Sequence, residues 1–167
     1  MVNDFHQISI RGRYTYCYVC LKKIIISKAL EDIPVFLDNL LKEFTNSSKL
    51  QDWQDGADDI MPSRLFEEEN DVNHYKVISR AQALNLKHYY LKNELAAEII
   101  EILTWVGISD LYVAFNSKKT FDCVMEVIEI LNSNGVELPD FSIVSSCSIN
   151  ENGGWGNRVD MDTFLRK

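Results

Sequence analysis

Cys17 and Cys20 stand two residues apart, the spacing of half a zinc site or of a redox pair. A second pair of ligands is missing. Cys123 and Cys147 are isolated, and no histidine lies close to any of the four in sequence. The apolar residues around Cys17 and Cys20 read instead as the setting of buried structural thiols. His88 falls on the apolar positions of a long helical pattern, where it is expected as a core histidine with a hydrogen-bond partner. His6 and His74 fall in polar segments without a second histidine at metal-ligand spacing. An enzyme with an unfamiliar site would have to draw on Cys17, Cys20 and His88.

The acid runs Asp58-Asp59 and Glu67-Glu68-Glu69 fit neither the Asp-x-Asp-x-Asp-Gly calcium loop nor a Glu-x-x-His pair. Neither Gly-x-Gly-x-x-Gly nor the Walker pattern can be drawn through Gly153-Gly154-Trp155-Gly156, which reads as a tight turn around a packed tryptophan. No catalytic residue, metal site or cofactor is therefore expected, and the chain reads as one that works by binding.

Charge indicates what it would bind. The net charge is −8 and the pI about 4.9, which argues against nucleic acid, because affinity for phosphate backbones comes from clustered Lys and Arg. Between Gln51 and Asp71 eight acids face Arg64 alone, a local charge of −7. Residues 1 to 28 carry five bases against Asp4, so the molecule is expected to be bipolar. A dense acidic segment steers a basic partner by its long-range field. Trp53 lies among these acids, as an aromatic anchor at a protein interface would. The expected partner-binding residues are Asp52, Trp53, Asp55, Asp58, Asp59, Glu67, Glu68, Glu69 and Asp71.

The elements that must carry these residues are mainly helical. Ile8 to Ile26 alternates like a strand through Tyr14, Tyr16 and Tyr18, yet runs on without a turn residue, so a buried helix from about Arg13 is favoured. Ser27 reads as the N-cap of a helix through Ile33, Phe36, Leu37, Leu40, Leu41 and Phe44, ended by Asn46-Ser47-Ser48. A shorter helix follows through Leu50, Trp53, Ala57, Ile60 and Met61 and stops at Pro62. Val77, Ala81, Leu84, His88, Leu91, Leu95, Ile99, Ile102 and Val106 alternate steps of four and three, predicting two helices that meet near Asn93, with Gly107 as a left-handed stop. Ile108 to Phe115 fits a short strand or a helical turn. Ser117 caps a helix through Phe121, Val124, Ile128 and Leu131 that Asn134-Gly135 closes. The tail holds a β-prone Ile143-Val144 and a last short helix over Asp160 to Phe164.

These readings give a mainly α fold: one compact domain over residues 1–167 with about five to seven helices, and short strands as an option near the N-terminus and in the C-terminal tail. At 167 residues, 46% of them hydrophobic, such a domain buries a core without staples. The absence of a long apolar run, of an export-type N-terminus and of a disulfide framework predicts a cytoplasmic protein with no membrane association.

An acidic single domain in which a helix ending Trp53-Gln-Asp-Gly-Ala-Asp-Asp-Ile-Met-Pro62 leads into an acidic loop and then a long helix resembles the immunity proteins of bacterial polymorphic toxin and contact-dependent growth inhibition systems. The resemblance covers residues 30 to 135 at most and is one of general character. It implies a protein that binds a cognate basic toxin domain and covers its active site. A helical adaptor holding a peptide in a groove, with the acids serving solubility, is the alternative from a different class.

Overall fold

In the computed structural model, which describes residues 2–67, 75–113 and 115–165, the chain folds as helices packed around one central helix. That helix, α1 (Ile10–Ser27), is buried on nearly every side from Ile10 to Leu21. Ser9 caps it, its Oγ accepting from the amide of Gly12. Around it lie α2 (Val35–Asn46), α6 (Glu94–Ile108) and α7 (Lys118–Ser133). A second layer holds α3 (Leu50–Ile60), the single turn α4 (Pro62–Leu65) and α5 (Arg80–Lys92), while the single turn α8 (Met161–Phe164) closes against α2.

The alternation of Tyr14, Tyr16 and Tyr18 is satisfied by a helix with neighbours on opposite sides. Tyr14 donates to Leu41 O at 2.7 Å and Tyr18 to Asp38 Oδ1 at 2.5 Å, both on α2, whereas Tyr16 reaches Pro139 O at 2.9 Å. Each aromatic body fills the core while its hydroxyl finds an acceptor in the surrounding shell. Among the described residues no strand forms. The strand option near the N-terminus and in the tail shrinks to one antiparallel bridge, Ile8 with Ser148, and the β-prone Ile143 closes a turn of 3-10 helix, Phe141–Ile143.

Among the described residues six helices of eleven residues or more match the expected number, but several boundaries move. Ser27 ends α1 instead of capping α2, and Pro34 takes the N-cap position, its fixed φ leading into the helix. Pro62 does mark the end of α3, which closes at Ile60 with Met61 as its C-cap, and it also opens α4 at its first position. Gly107 is not a left-handed stop. It lies inside α6, where the lack of a side chain lets the edge of Trp53 approach the backbone. Asn93, with φ −126° and ψ 59°, does separate α5 from α6. Its Nδ2 donates to Tyr89 O and its Oδ1 accepts from Glu31 N, tying the joint to the segment before α2.

That non-helical joint resets the helical phase. The apolar pattern holds on α6, where Ile99, Ile102 and Val106 are buried, but not on α5, whose buried side is Ala83, Leu86, Tyr89 and Tyr90. Val77, Leu84 and Leu91 are exposed, and so is His88. The expectation of a core histidine is thus corrected. Tyr89 and Tyr90 outweigh the leucines as core formers because they bury more area, and the Tyr90 hydroxyl is satisfied by Ile60 O at 2.7 Å.

Candidate partner-binding surface

The acids of α3 are largely occupied by the protein itself. Asp59 is buried and accepts three backbone amides, from Lys76, Val77 and Ile78, at 2.8, 2.6 and 3.1 Å. A carboxylate placed this way pins the start of the next element, as an N-cap does. Asp58 pairs with Arg64 at 2.7 Å and Asp55 with Lys76 at 2.5 Å. Asp52 and Glu67 are exposed. Glu68, Glu69 and Asp71 lie outside the described residues.

Trp53 is no surface anchor: it is 2% exposed. Its indole Nε1 donates to Leu40 O at 2.8 Å, and its ring packs on Phe44 and Tyr14 with centroids 4.9 and 5.9 Å away. The acids follow it in sequence, but the helix turns its ring inward, because its area is worth more in the core than any interface contact in the free protein. The expected basic N-terminal surface is depleted in the same way. Arg13 is fully buried, donating to Phe5 O, Ser117 O and Thr120 Oγ1, and burial lowers its pKa to about 10. Arg11 is 6% exposed.

An exposed tryptophan in line with carboxylates does exist, on α6. Glu94, Glu98, Glu101 and Trp105 follow steps of four, three and four, so they share the outer face of the helix. Glu94 and Glu98 are exposed and Trp105 is 43% exposed. Glu101 is held by the amide and hydroxyl of Ser63 on α4, at 2.9 and 2.7 Å, and in turn accepts from Trp105 Nε1 at 3.0 Å. The indole is therefore fixed before any partner arrives, which lowers the entropic cost of using it as an anchor.

Beyond α6, the connection to α7 continues this apolar exposure. Tyr112 is 85% exposed, with Val113 and Phe115 also well exposed. The segment is braced from within: Ser117 Oγ donates to Asp110 Oδ2, Val113 N reaches Asp110 O at 3.1 Å, and Phe115 N reaches Gly153 O at 2.8 Å. Large apolar side chains this exposed and this close in sequence are the type of patch that marks interaction sites. The expected binding segment, residues 51 to 71, does not include this face. Its signal was present: Trp105 falls one step off the apolar series that ends in Ile102 and Val106, in line with three glutamates.

Cys17 and Cys20 are buried on α1. Burial raises the Cys17 thiol well above its ordinary value and Cys20 to about 12, the reverse of what a nucleophile or metal ligand requires. His88 stands apart from them on the exposed side of α5. Among the described residues no group of three His, Cys, Asp or Glu converges as a metal site, and no helix is long and apolar enough to cross a membrane. Compared with protein-family models, curated proteins and solved structures, the chain matches none of them.

Proposed function

We propose that this protein is a stoichiometric, toxin-neutralising partner that docks a basic protein domain on the outer face of α6 and the connection after it. The observation that carries the reading is Trp105: half exposed, held by Glu101, and flanked by carboxylates along one helix face. A net charge of −8 supplies attraction over distance. Trp105 with Tyr112 supplies desolvated area at the centre, where interface energy concentrates. The likeness in general character to immunity proteins supports the cytoplasmic, one-to-one inhibitor form of this reading, in which the bound domain has its active site covered.

The test is capture from the native cell on immobilised protein, with elution by rising salt and comparison with Trp105→Ala. A basic protein retained in one-to-one amount, released by salt and bound about 30-fold more weakly by the variant, supports the proposal, since a central aromatic contributes about 2 kcal/mol or more. Absence of a stoichiometric basic partner, or equal retention by Trp105→Ala, overturns it.

A second reading, an adaptor that takes an amphipathic peptide, is favoured by the exposed stripe of α5. Leu84 and Leu91, 59% and 66% exposed, flank His88 on a helix with three Lys or Arg and no acid. Leu84→Asp would abolish such binding and leave capture through α6 unchanged.

A further inference from the structure

Arg11 and Arg158 meet at an open cleft of about 460 Å³ whose lining residues include no carboxylate. In a chain with eight surplus negative charges, that local imbalance is the opposite of the global one. Arg11 reaches the cleft from the first turn of α1. Two of its nitrogens are spent on backbone carbonyls, Gly156 O at 2.8 Å and Ser47 O at 2.7 Å, and its Nε is buried with no hydrogen-bond partner. These carbonyls orient the guanidinium without neutralising it. No ion pair among the described residues includes Arg11 or Arg158. Burial lowers the Arg11 pKa first and the charge of Arg158 lowers it further, so the two cations act on one another across the cleft.

A third source of positive potential opens on the same space. Ser48, Leu50 and Gln51 line the cleft at the N-terminus of α3, an eleven-residue helix whose N-cap, Lys49, makes no side-chain cap. Such an end presents the amides of Leu50 and Gln51 and the positive pole of the helix dipole, with the exposed Asp52 in the same first turn. Asn152 adds a side-chain amide, and Trp155 and Leu50 form an apolar border. Three acids lie beyond Arg158, in the neighbouring hollow: Glu43 is exposed, Asp162 is engaged by Lys42 at 2.8 Å, and Asp160 accepts from the amide of Asp162.

We infer that this cleft is an anion site that holds the phosphate group of a small phosphorylated molecule between Arg11, Arg158 and the start of α3. A planar guanidinium fixed by backbone carbonyls keeps one further N–H on each of its two terminal nitrogens, and phosphate accepts such bonds in pairs. Arg158, exposed and in no ion pair among the described residues, closes on the anion from the solvent side, and the border of Trp155 and Leu50 accommodates the organic part. The site is independent of the α6 surface and does not rest on the partner-binding proposal.

Calorimetric titration at low ionic strength tests the inference, with inorganic phosphate and with adenosine monophosphate as probes and sodium chloride at matched ionic strength as control. The intact chain is compared with Arg158→Gln, an exposed change that leaves the backbone ties of Arg11 in place. Saturable one-to-one binding of either probe, weakened about tenfold or more in Arg158→Gln as expected for one charge-assisted contact, supports the site. Equal affinity for both probes assigns it to the phosphate group alone, and tighter binding of the nucleotide extends it to the apolar border. No saturable heat with either probe, an equal response to chloride, or unchanged affinity in Arg158→Gln overturns it. Arg11→Lys, which keeps the charge but loses the fork, adds a second check and is expected to bind more weakly than the intact chain.

Discussion

Replacing Gly107 by Ala separates tertiary packing from helix propensity, because the two act in opposite directions at this position. In an exposed helix interior the change stabilises by about 1 kcal/mol. At residue 107 an added Cβ would overlap Trp53 Cζ3, stand 2.7 Å from Cη2 and stand 3.3 Å from Phe44 Cδ2. The indole has no easy retreat, since Nε1 is bonded to Leu40 O and the ring packs edge-on to Tyr14 and tilted against Phe44. Overpacking of a well-filled core costs typically about 1–3 kcal/mol, and an overlap this deep belongs at the upper end. The balance is a net loss of about 2 kcal/mol, which for a domain of this size lowers Tm by roughly 4–8 °C. Thermal and urea unfolding followed by circular dichroism reads it directly. A second arm places Gly107→Ala in a Trp53→Leu background, where the overlap is gone and the change should be neutral or mildly stabilising, a coupling of about 2–3 kcal/mol. A Gly107→Ala variant as stable as the parent, or more stable, would refute the claim that Trp53 is locked against α6.

Three further outcomes follow from the same geometry. Asp59→Ala leaves the amides of Lys76, Val77 and Ile78 without their acceptor; hydrogen exchange at these three should rise steeply, with a stability loss of about 2–4 kcal/mol, and unchanged protection would show that Asp59 does not hold the segment. For Asp38, burial raises the carboxyl pKa, but the hydrogen bonds from Lys42 and Tyr18 and the charges of Lys22 and Lys42 outweigh it and hold it below the ordinary 3.8. A depressed acid adds stability that is present above the unfolded value and lost as pH falls through the folded one. Acid unfolding below about pH 4 should therefore be shallower in Asp38→Asn than in the parent, and parallel curves would contradict this. Cys17 and Cys20, their thiols raised by burial, should resist iodoacetamide at pH 8 in the folded protein and react once it is unfolded in guanidinium; rapid labelling of the native chain would disprove their burial.

The sequence alone was sufficient wherever a local rule governs. The 3.6-residue period marked α2, α3, α6 and α7, Ser117 marked the start of α7 by its capping hydroxyl, and Asn134-Gly135 marked its end. The orientation of a helix was not legible from one period. Across Asn93 the phase of the apolar series breaks, since one residue at φ −126° rotates everything that follows, and this put His88 and Leu84 outside and Tyr89 and Tyr90 inside.

The functional surface depended still more on tertiary structure. A run of acids is visible in any sequence, but whether it faces solvent depends on which cations and amides reach it. Lys76 and the backbone of residues 76–78 come to α3 through the fold, not through sequence proximity. The same holds for the tryptophans: Trp53 and Trp105 look alike as aromatic residues near acids, and only the packing of α6 against α1 and α3 decides that one fills the core while the other remains at the surface. Composition determined that the protein is acidic, and the apolar period that it is helical. Long-range contacts, which bring Arg11 to residue 156 and Glu101 to Ser63, decided where its charges can be met.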